Sequence, residues 1–334
     1  MKFLSKKSAL VFAMAAGCLV SGVSAAWEPT KSVEFIASAG AGGGTDQFAR
    51  IVQSIIQKYK LNSTPVIVSN KGGGAGTEAF VYGEGIHSDP HKLIFSTNLA
   101  WLMPMITKVG YKIEDMTPLA TMAADEFVLW TSTSAPYKTA EELLVAAKEK
   151  KAAFKFGGAQ SKDTDHILTR KIEDATGINV TYIPFKSGGE AAVQLAGGHV
   201  DANTNNPGEN ASYWKADKVR PLCVFASKPL ANTDKINKDT SWADIPLCKD
   251  SGISIDSFNM PRTVWMAGGV KPEEVAYYVE LLKKVTEKPE WKAWLARGVQ
   301  SEFFQTGDAL NAYIKKDAAE HHTLFSKNEW LVKN

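Results

Sequence analysis

The sequence predicts an α/β protein built from two domains, and three observations lead to that fold class. Strand-like apolar runs alternate with helical segments along almost the whole chain, which is the pattern of parallel sheets covered by helices. Glycine-rich loops follow several strands and precede helices, so they fall at the carboxyl ends of the sheets. The chain has 334 residues, which is more than a single hydrophobic core usually holds.

The first half of the chain supplies three units of this pattern. Residues 31–38 (KSVEFIAS) predict a strand, which runs into a glycine-rich turn and then a helix over about 45–59. That helix carries apolar residues at helical spacing on one face. Residues 65–70 (PVIVSN) predict a second strand, again followed by glycines and a helix. A third strand at 93–97 is followed by a predicted turn at 98–101.

The second half continues the alternation. Its predicted strands are 127–132, 154–157, 180–185, 219–226 and 263–267, and its predicted helices are 139–151, 167–175, a helix from 188 onward, 272–287 and 308–331. Thr139 has a side chain that can cap the first of these helices. Pro272 and Glu273 suit a first helical turn, where proline loses no hydrogen bond and the helix dipole favours an acidic residue.

The N-terminal residues predict export from the cytoplasm. Three lysines lie within the first seven residues, residues 8–20 are apolar but too short to span a bilayer, and residues 23–26 (VSAA) offer a signal-peptidase site. We expect a signal peptide of residues 1–26, cleaved after Ala25 or Ala26. The mature protein should then reside in the periplasm.

The three cysteines leave two questions open. Residues 15–18 (AAGC) look like a lipobox, so a lipid anchor on Cys18 is an alternative to ordinary cleavage. Cys223 and Cys248 are the cysteines of the mature chain. In an oxidising compartment they could form a disulfide, or they could be two small buried residues that never meet.

Composition excludes several classes of function. The chain is 44% hydrophobic and 22% charged, and its formal charge of +2 is more than accounted for by the three N-terminal lysines. A near-neutral mature chain lacks the basic surface of a protein that binds nucleic acid. No heptad run predicts an oligomer interface, so we expect a monomer.

The strongest local motif is SAGAGGGTD at residues 38–46. Three consecutive glycines before Thr45 let backbone amides turn inward and let a ligand approach closely. A helix start also presents free N–H groups and a partial positive charge, which together bind anions. Nucleotide motifs are excluded, because no Gly-Lys-Ser/Thr follows and the third glycine of a dinucleotide fingerprint is missing. The alternative is a tight strand-to-helix turn without a ligand.

Two similar loops occur in the second half, at residues 157–161 (GGAQS) and 185–189 (FKSGG). Three such loops fit one carboxylate held from both sides. Asn203 and Asn205 either orient a polar ligand or form an Asx-rich turn. Arg262 precedes a predicted strand and either holds a carboxylate or is a solvated loop residue. The predicted ligand-binding residues are Ser38, Ala39, Gly40, Gly42, Gly43, Gly44, Asp46, Thr97, Asn98, Trp101, Gly158, Ala159, Gln160, Ser161, Lys186, Ser187, Gly188, Asn203, Asn205 and Arg262.

The sequence shows none of the motifs that carry catalysis. It has no Gly-x-Ser-x-Gly elbow, no His-Glu-x-x-His zinc pair and no cofactor motif. His166 follows an aspartate at a helix start, where capping or packing is favoured over catalysis. We therefore expect no enzyme activity, no metal site and no cofactor.

In its motifs the chain resembles the extracytoplasmic solute receptors of tripartite tricarboxylate transporters, from about residue 33 to residue 330. Residues 42–50 (GGGTDQFAR) are similar to the family's glycine-aspartate-alanine-arginine opening, and residues 70–76 (NKGGGAG) to its second glycine-rich loop. Residues 184–192 (PFKSGGEAA) and 198–201 (GHVD) match its Pro-Tyr-Lys-Gly and Gly-x-Val-Asp stretches.

The resemblance implies a two-lobed periplasmic-binding-protein fold, with two crossovers between the lobes and a ligand cleft at the strand carboxyl ends. Lobe 1 would comprise residues 27–125 and 256–334, and lobe 2 residues 126–255. Backbone amides from the first loop of each lobe would hold one ligand carboxylate as the lobes close. Arg262 stands where the family commonly has glycine, which favours a second, distal carboxylate and therefore an aliphatic or aromatic dicarboxylate.

The expected function is capture of a small organic carboxylate for uptake by the transmembrane permease subunits of such a transporter. Two alternatives stay open at this point. One is a receptor of the same fold that signals to a membrane sensor kinase. The other, less favoured, is a secreted enzyme acting on a carboxylate, which would need a nucleophile, metal cluster or cofactor motif that the sequence does not show.

Overall fold

Two β-sheets, each covered by helices, form the framework of the molecule. The computed structural model describes residues 27–238 and 240–333, so the predicted signal peptide and the Cys18 anchor lie outside the described residues. In chain order the strands are β1 (Val33–Ala37), β2 (Val66–Asn70), β3 (Lys92–Ser96), β4 (Thr117–Glu126), β5 (Val128–Ser132), β6 (Lys155–Gly158), β7 (Thr181–Pro184), β8 (Ala202–Asn205), β9 (Val219–Val224), β10 (Lys235–Asn237), β11 (Thr240–Ser241), β12 (Asn259–Met266) and β13 (Gln300–Gln305). The helices are α1 (Gly44–Tyr59), α2 (Thr77–Glu84), α3 (Leu99–Ile106), α4 (Ala140–Lys150), α5 (Thr164–Thr176), α6 (Gly188–Ala196), α7 (Pro207–Lys215), α8 (Pro272–Thr286), α9 (Pro289–Gly298) and α10 (Gly307–Lys327). None of these helices is both long and apolar enough to cross a membrane.

The strands divide between two sheets. The larger sheet has the order β13-β4-β12-β3-β1-β2 and the smaller one β7-β6-β8-β5-β9. We call the larger sheet with its helices lobe 1 and the smaller sheet with its helices lobe 2. The chain enters lobe 2 between β4 and β5 and returns between β9 and β12. The predicted two-lobed α/β fold with two crossovers is therefore confirmed, whereas the predicted residue boundaries of the lobes stay a prediction.

Parallel pairing brings the glycine-rich loops together in each lobe. In lobe 1, β1 pairs in parallel with both β2 and β3, and in lobe 2, β6 pairs in parallel with both β7 and β8. The carboxyl ends of neighbouring parallel strands lie at one sheet edge. The strands nearest the crossovers, β4, β5, β9 and β12, pair antiparallel instead, so the sheets are mixed rather than purely parallel.

Aromatic packing fixes the first helix of lobe 1 to its sheet. The ring centroids of Phe35 on β1 and Phe95 on β3 are 4.7 Å apart, and Phe48 of α1 packs edge-on to Phe95 at 5.0 Å. All three side chains are fully buried, and each such burial contributes about 1.5–3 kcal/mol. Because α1 is held this firmly, the loop between β1 and α1 has two rigid ends.

Lobe 2 has its own core and a disulfide. Trp130, Trp214 and Trp242 pack on one another with centroids 4.8–6.0 Å apart. Cys223 at the end of β9 is bonded to Cys248, which lies on the segment that returns toward lobe 1. A cross-link over 25 residues stabilises a fold by about 3 kcal/mol, so the return segment is tied to lobe 2.

Several elements differ from the sequence prediction. Residues 98–101, predicted as a turn, open α3 instead, and Asn203 and Asn205 lie within β8 rather than in a ligand loop or an Asx-rich turn. The elements β4, α7, α9 and β13 were not predicted. The predicted cap is confirmed, because the Glu142 N–H donates to the Thr139 side chain at 3.3 Å.

The C-terminal segment touches both lobes. Helix α10 packs on lobe 1, and beyond it the Val332 N–H donates to the carbonyl of Met105 on α3 at 2.8 Å. On the other side, Lys327 pairs with Asp174 of α5, and the Trp330 ring lies 4.7 Å from the His166 ring. The end of the chain therefore makes a further, non-covalent link between the lobes.

Candidate functional site

A cavity of about 920 Å³ lies between the two lobes. Its walls combine the loops that follow β1, β2 and β3 with those that follow β6, β7 and β8. These loops stand at the carboxyl ends of the parallel strands, where open α/β sheets bind their ligands. The cavity is therefore the candidate ligand site.

The start of α1 presents free backbone donors to this cavity. Its N-cap residue, Gly43, has no side chain to cap the helix, and the first helical hydrogen bond runs from the Gln47 N–H to the Gly43 carbonyl. In the described structure the N–H groups of Gly44, Thr45 and Asp46 consequently have no partner. The helix dipole adds a partial positive charge at this point, so the arrangement suits an anion.

Glycines are required where this loop meets its neighbour. A Cβ on Gly72, in the loop after β2, would lie 2.6 Å from the Ala39 carbonyl carbon and from the Gly40 nitrogen. Both are backbone atoms, which cannot move aside as the end of a side chain can. Gly42 has a φ of +81°, a conformation that glycine adopts without strain.

Asp46 braces the loop from behind rather than facing the cavity. Its Oδ2 accepts from the Gly42 N–H at 2.8 Å, Arg50 Nε donates to it at 3.0 Å, and Asn70 Nδ2 donates to Oδ1 at 2.9 Å. Burial alone would raise the pKa of Asp46, but the hydrogen bonds from Arg50, Gly42 and Asn70 hold that pKa below its usual value. A charged carboxylate thus fixes the loop geometry.

An ion pair lies beneath the start of α1. Arg262 Nε donates to Asp125 Oδ1 at 3.1 Å, its Nη2 contacts Asp125 Oδ2, and its Nη1 donates to the Thr45 hydroxyl at 3.2 Å. Gln300 also donates to Asp125. Arg262 is 6% exposed and Asp125 3%. The alternative of a solvated loop arginine is therefore wrong, because Arg262 is buried within β12 and paired with Asp125.

Three carboxyl groups line the lobe-2 wall. Asp163 caps α5, because the Thr164 N–H donates to its Oδ1 at 2.6 Å. Asp165 Oδ2 accepts from the Ala159 N–H at 2.6 Å. The Glu209 carboxyl, at the start of α7, lies so close to Gly188 at the start of α6 that a Cβ there would collide with it.

These three groups hold their protons more tightly than usual. Burial raises the pKa of all three. The neighbouring carboxyls Glu209 and Asp163 raise the pKa of Asp165 further. For Glu209, burial and then Asp125 outweigh the opposing effects of the Asn206 backbone and Arg262, and the pKa reaches about 7. The lobe-2 wall is therefore electrostatically unlike the lobe-1 wall.

The structure brings most of the predicted site residues to the cavity. They come from the three glycine-rich loops of the prediction and from the end of β3 and β12. The predicted residues that line it are Ser38, Ala39, Gly40, Gly42, Gly43, Gly44, Thr97, Ala159, Gln160, Lys186, Ser187, Gly188 and Arg262.

The other predicted residues do not line the cavity. Trp101 is buried in the lobe-1 core, where its Nε1 donates to Asp317 at 2.8 Å. Asn203 and Asn205 are both bonded to Asn210, at 3.2 and 2.9 Å, inside lobe 2. Four further predicted residues also lie outside the cavity lining. Asp46 braces the loop after β1, and Gly158 is the last residue of β6. Asn98 precedes α3, and Ser161 is exposed to solvent.

Sequence reasoning missed the acidic residues of the cavity. Asp163 and Asp165 stand at a helix start and Glu209 follows a proline, so each carried the ordinary signal of a capping or first-turn acid. Asp125 ends a strand that was not predicted. Arg297 and Trp294 of α9 also line the cavity. These residues become site residues only because the fold brings them to the cavity, and no sequence pattern encodes that placement.

Comparison with known proteins identifies the family. The model of the tripartite tricarboxylate transporter family receptors matches residues 48–329. The chain belongs to that family. It is similar to Protein BugT of Bordetella pertussis, with 26% identity over an alignment that covers 65% of this chain and 67% of BugT. The predicted family resemblance is thereby confirmed.

Solved structures show the same receptor fold. A solute-binding protein of this family from Polaromonas is 26% identical, with a TM-score of 0.72 over 90% of this chain and 99% of that one. A Rhodopseudomonas palustris protein solved with adipate is 19% identical, with a TM-score of 0.78 over 89% of this chain and 97% of that one. At that identity the second likeness concerns the fold alone.

Proposed function

We propose that this receptor captures a small organic carboxylate in the periplasm and delivers it to the membrane subunits of a tripartite tricarboxylate transporter. The observation that carries the proposal is the start of α1, where three backbone N–H groups have no partner in the described structure and where Gly44 and Thr45 line the cavity. Buried backbone donors are almost always satisfied. A carboxylate oxygen bound there would satisfy them and would also lie at the positive end of the helix dipole.

Closure of the lobes supplies the rest of the binding free energy. The cavity is shared by both lobes, which are joined by two crossovers and by the C-terminal segment. A ligand that touches both walls favours the closed form, because it contacts that form more extensively. Closure also excludes water, which strengthens each hydrogen bond to the ligand.

A dicarboxylate is the finer form of the proposal. Arg262 uses three of its five N–H donors on Asp125 and Thr45, which leaves two for a second carboxylate. Lys186 and Arg297 also line the cavity at its exposed rim. The adipate in the Rhodopseudomonas palustris relative is a dicarboxylate, which agrees with this choice.

Native mass spectrometry of the purified protein tests the proposal first. A carboxylic acid released at near one equivalent supports it, and an unchanged ligand after incubation supports a receptor rather than an enzyme. An empty protein is then screened by thermal shift against mono-, di- and tricarboxylates. Because a ligand at 100 times its Kd stabilises a fold by about 2.7 kcal/mol, a panel without any shift would contradict carboxylate binding.

A further inference from the structure

The loop that follows β6 lines the cavity and contains a residue in a strained conformation. Residues 159–163, which we call the lobe-2 loop, contribute Ala159, Gln160 and Asp163 to the cavity lining. Lys162 has a φ of +64°, a left-handed conformation that residues other than glycine rarely adopt. Such a conformation persists only where the surrounding structure holds it. The groups that hold Lys162 therefore decide the shape of this part of the cavity.

Two stacked rings of lobe 2 hold the two ends of the lobe-2 loop. The Lys162 N–H donates to His166 Nδ1 at 3.0 Å. The Tyr182 hydroxyl donates to the Ala159 carbonyl at 2.6 Å. The centroids of the His166 and Tyr182 rings lie 4.0 Å apart, and the rings are parallel to within 3°. Burial, Arg170 and Lys162 lower the pKa of His166 to about 4, so at neutral pH the imidazole is uncharged and its Nδ1 accepts this bond.

A third ring, that of Trp330, packs on His166 from the C-terminal segment. The indole lies 4.7 Å from the His166 ring, and the Lys162 ammonium lies 5.9 Å from the indole centroid. The second distance is within the range of a cation–π contact. Trp330 thus contacts both the strained residue of the lobe-2 loop and the imidazole that accepts from its backbone.

The segment that carries Trp330 is anchored on lobe 1. The Trp330 N–H donates to the Phe325 carbonyl of α10 at 2.8 Å, and the Val332 N–H donates to the Met105 carbonyl of α3 at 2.8 Å. The Phe325 side chain is fully buried. By contrast, the groups that brace the loop after β1 all belong to lobe 1 itself. The lobe-2 loop is therefore held in part from the opposite lobe.

We propose that Trp330 is a positioning residue for ligand binding, which holds His166 and Lys162 and thereby keeps the lobe-2 loop in the conformation that lines the cavity. This inference rests on the proposed function, because only that function makes the cavity a ligand site. The apparent affinity of a receptor falls in proportion to the fraction of molecules whose site is competent to bind. Loss of Trp330 therefore weakens binding, although Trp330 itself does not line the cavity.

Hydrogen exchange of the ligand-free protein tests the positioning role directly. In Trp330→Ala we expect the amides of residues 159–163 to exchange about tenfold faster or more, whereas the amides of β3 keep their wild-type rates. Trp330→Phe keeps a ring against His166 and should restore most of the protection. If Trp330→Ala does not fold, Trp330→Leu takes its place, because leucine is apolar but has no aromatic face. Loop amides that exchange at the wild-type rate in the folded variant would overturn the proposal.

Trp27 provides a matched control within one lobe. It is also half-buried, and its ring lies 6.0 Å from the imidazole of His91 and 5.3 Å from the ring of Tyr277, both in lobe 1. Trp27→Ala should lower the midpoint of urea denaturation but leave the exchange of the lobe-2 loop unchanged. Equal acceleration of the loop amides in Trp27→Ala and Trp330→Ala would assign the effect to general destabilisation and would overturn the positioning role.

Binding of a carboxylate probe separates this inference from the proposed function. The probe is succinate, or adipate if succinate does not bind. We expect Trp330→Ala to raise the Kd about tenfold, chiefly through faster dissociation, and Trp27→Ala to change neither quantity. An unchanged Kd in Trp330→Ala would overturn the role of Trp330 while carboxylate capture stands. A wild-type protein that binds no acid of the thermal-shift panel would contradict carboxylate capture, and the exchange experiment, which needs no ligand, would still decide whether Trp330 holds the loop.

Discussion

The two lobes contain the same strand–loop–helix unit with opposite electrostatics. In lobe 1 the loop after β1 is braced by Asp46, which accepts from the Gly42 N–H, and in lobe 2 the loop after β6 is braced by Asp165, which accepts from the Ala159 N–H. Arg50 and Asn70 surround Asp46, and its pKa is below the usual value. Burial and the neighbouring carboxyls of Glu209 and Asp163 hold the pKa of Asp165 well above its usual value.

The difference shows that two loops braced in the same way can offer different groups to a ligand. Near the cavity, lobe 1 pairs Asp46 with Arg50 and Asp125 with Arg262, and it leaves backbone donors free at the start of α1. On the lobe-2 wall no ion pair of the described residues involves Asp163, Asp165 or Glu209, and the side chains of Asp163 and Ser187 cap the starts of α5 and α6. A ligand that bridges the cavity therefore meets donors on one side and acceptors on the other.

Removal of the lobe-1 counter-charge should have the largest effect. Arg262→Met leaves the Asp125 carboxylate buried without a cation, which costs about 3–5 kcal/mol of the free energy of unfolding. Urea denaturation measures the loss. The double variant Arg262→Met/Asp125→Asn should recover much of it, because no charge is then left unpaired.

An exposed ion pair provides the control for Arg262. Lys284→Ala removes the partner of Glu280 at 3.9 Å on the surface of α8, and such pairs contribute about 1 kcal/mol or less. A loss for Arg262→Met no greater than that for Lys284→Ala would mean that the buried pair does not stabilise lobe 1.

A pH titration should show that Glu209 in lobe 2 loses stabilising effect as the pH rises, whereas Asp46 in lobe 1 does not. The pKa of Glu209 is about 7 in the fold against 4.5 normally. The folded state thus binds the proton more tightly, so this group contributes stability that is full below pH 4.5 and is lost as the pH rises toward 7. We expect Glu209→Gln to equal wild type near pH 4.5 and to exceed it by roughly 1–3 kcal/mol at pH 7.5.

Urea denaturation at several pH values checks this expectation without interference from lobe 1. The lowered pKa of Asp46 gives stability that is present above its usual value of 3.8 and lost only at more acidic pH. A constant difference between Glu209→Gln and wild type over pH 4.5–7.5 would contradict the raised pKa of Glu209.

A cap added to α1 should make its start resemble the starts in lobe 2. In Gly43→Ser the new hydroxyl can accept from the N–H groups of the first turn and so competes with the ligand carboxylate. We expect carboxylate affinity to fall about tenfold, as measured by calorimetry. Gly43→Ala is the matched control, because it adds the Cβ without an acceptor; an equal loss in both variants would assign the effect to steric hindrance.

Removal of the cap from α6 should have the smallest effect. Ser187→Ala deletes the acceptor of the Glu190 N–H and should lower the free energy of unfolding by about 1 kcal/mol. Ser212→Ala, on the exposed face of α7, should change it by less than about 0.5 kcal/mol. Equal losses in the two variants would show that the Ser187 cap is not stabilising.

Elements with strong hydrophobic patterns were predictable from the sequence, and polar buried elements were not. The strands β1, β3 and β5 are apolar runs buried on both faces, a pattern that is typical of parallel and central strands. Strand β8 has the sequence ANTN and resembles a turn, but inside the fold Asn205 donates to Gly188 and Asn210, and Asn203 accepts from Asn210. Such long-range partners leave no local signal.

The site shows the same division. The glycine loop of lobe 1 carries a sequence signal, because the close backbone approach at Gly72 requires glycine and a glycine at the N-cap leaves the first donors of α1 without a side-chain acceptor. Arg262 was placed near the cavity by the sequence, but its pairing with Asp125 spans 137 residues and depends on the antiparallel register of β4 and β12. The acidic wall likewise forms only when α5 and α7 are brought together.

The contact between Trp330 and His166 makes the C-terminal segment an optical reporter. The indole lies 4.7 Å from the imidazole of the opposite lobe and 5.9 Å from the Lys162 ammonium. Indole emission is sensitive to such neighbours, so a movement of the lobes that breaks this contact would change the contribution of Trp330 to the fluorescence of the protein. For the same reason, a tag fused to the C-terminal segment would lie close to this contact.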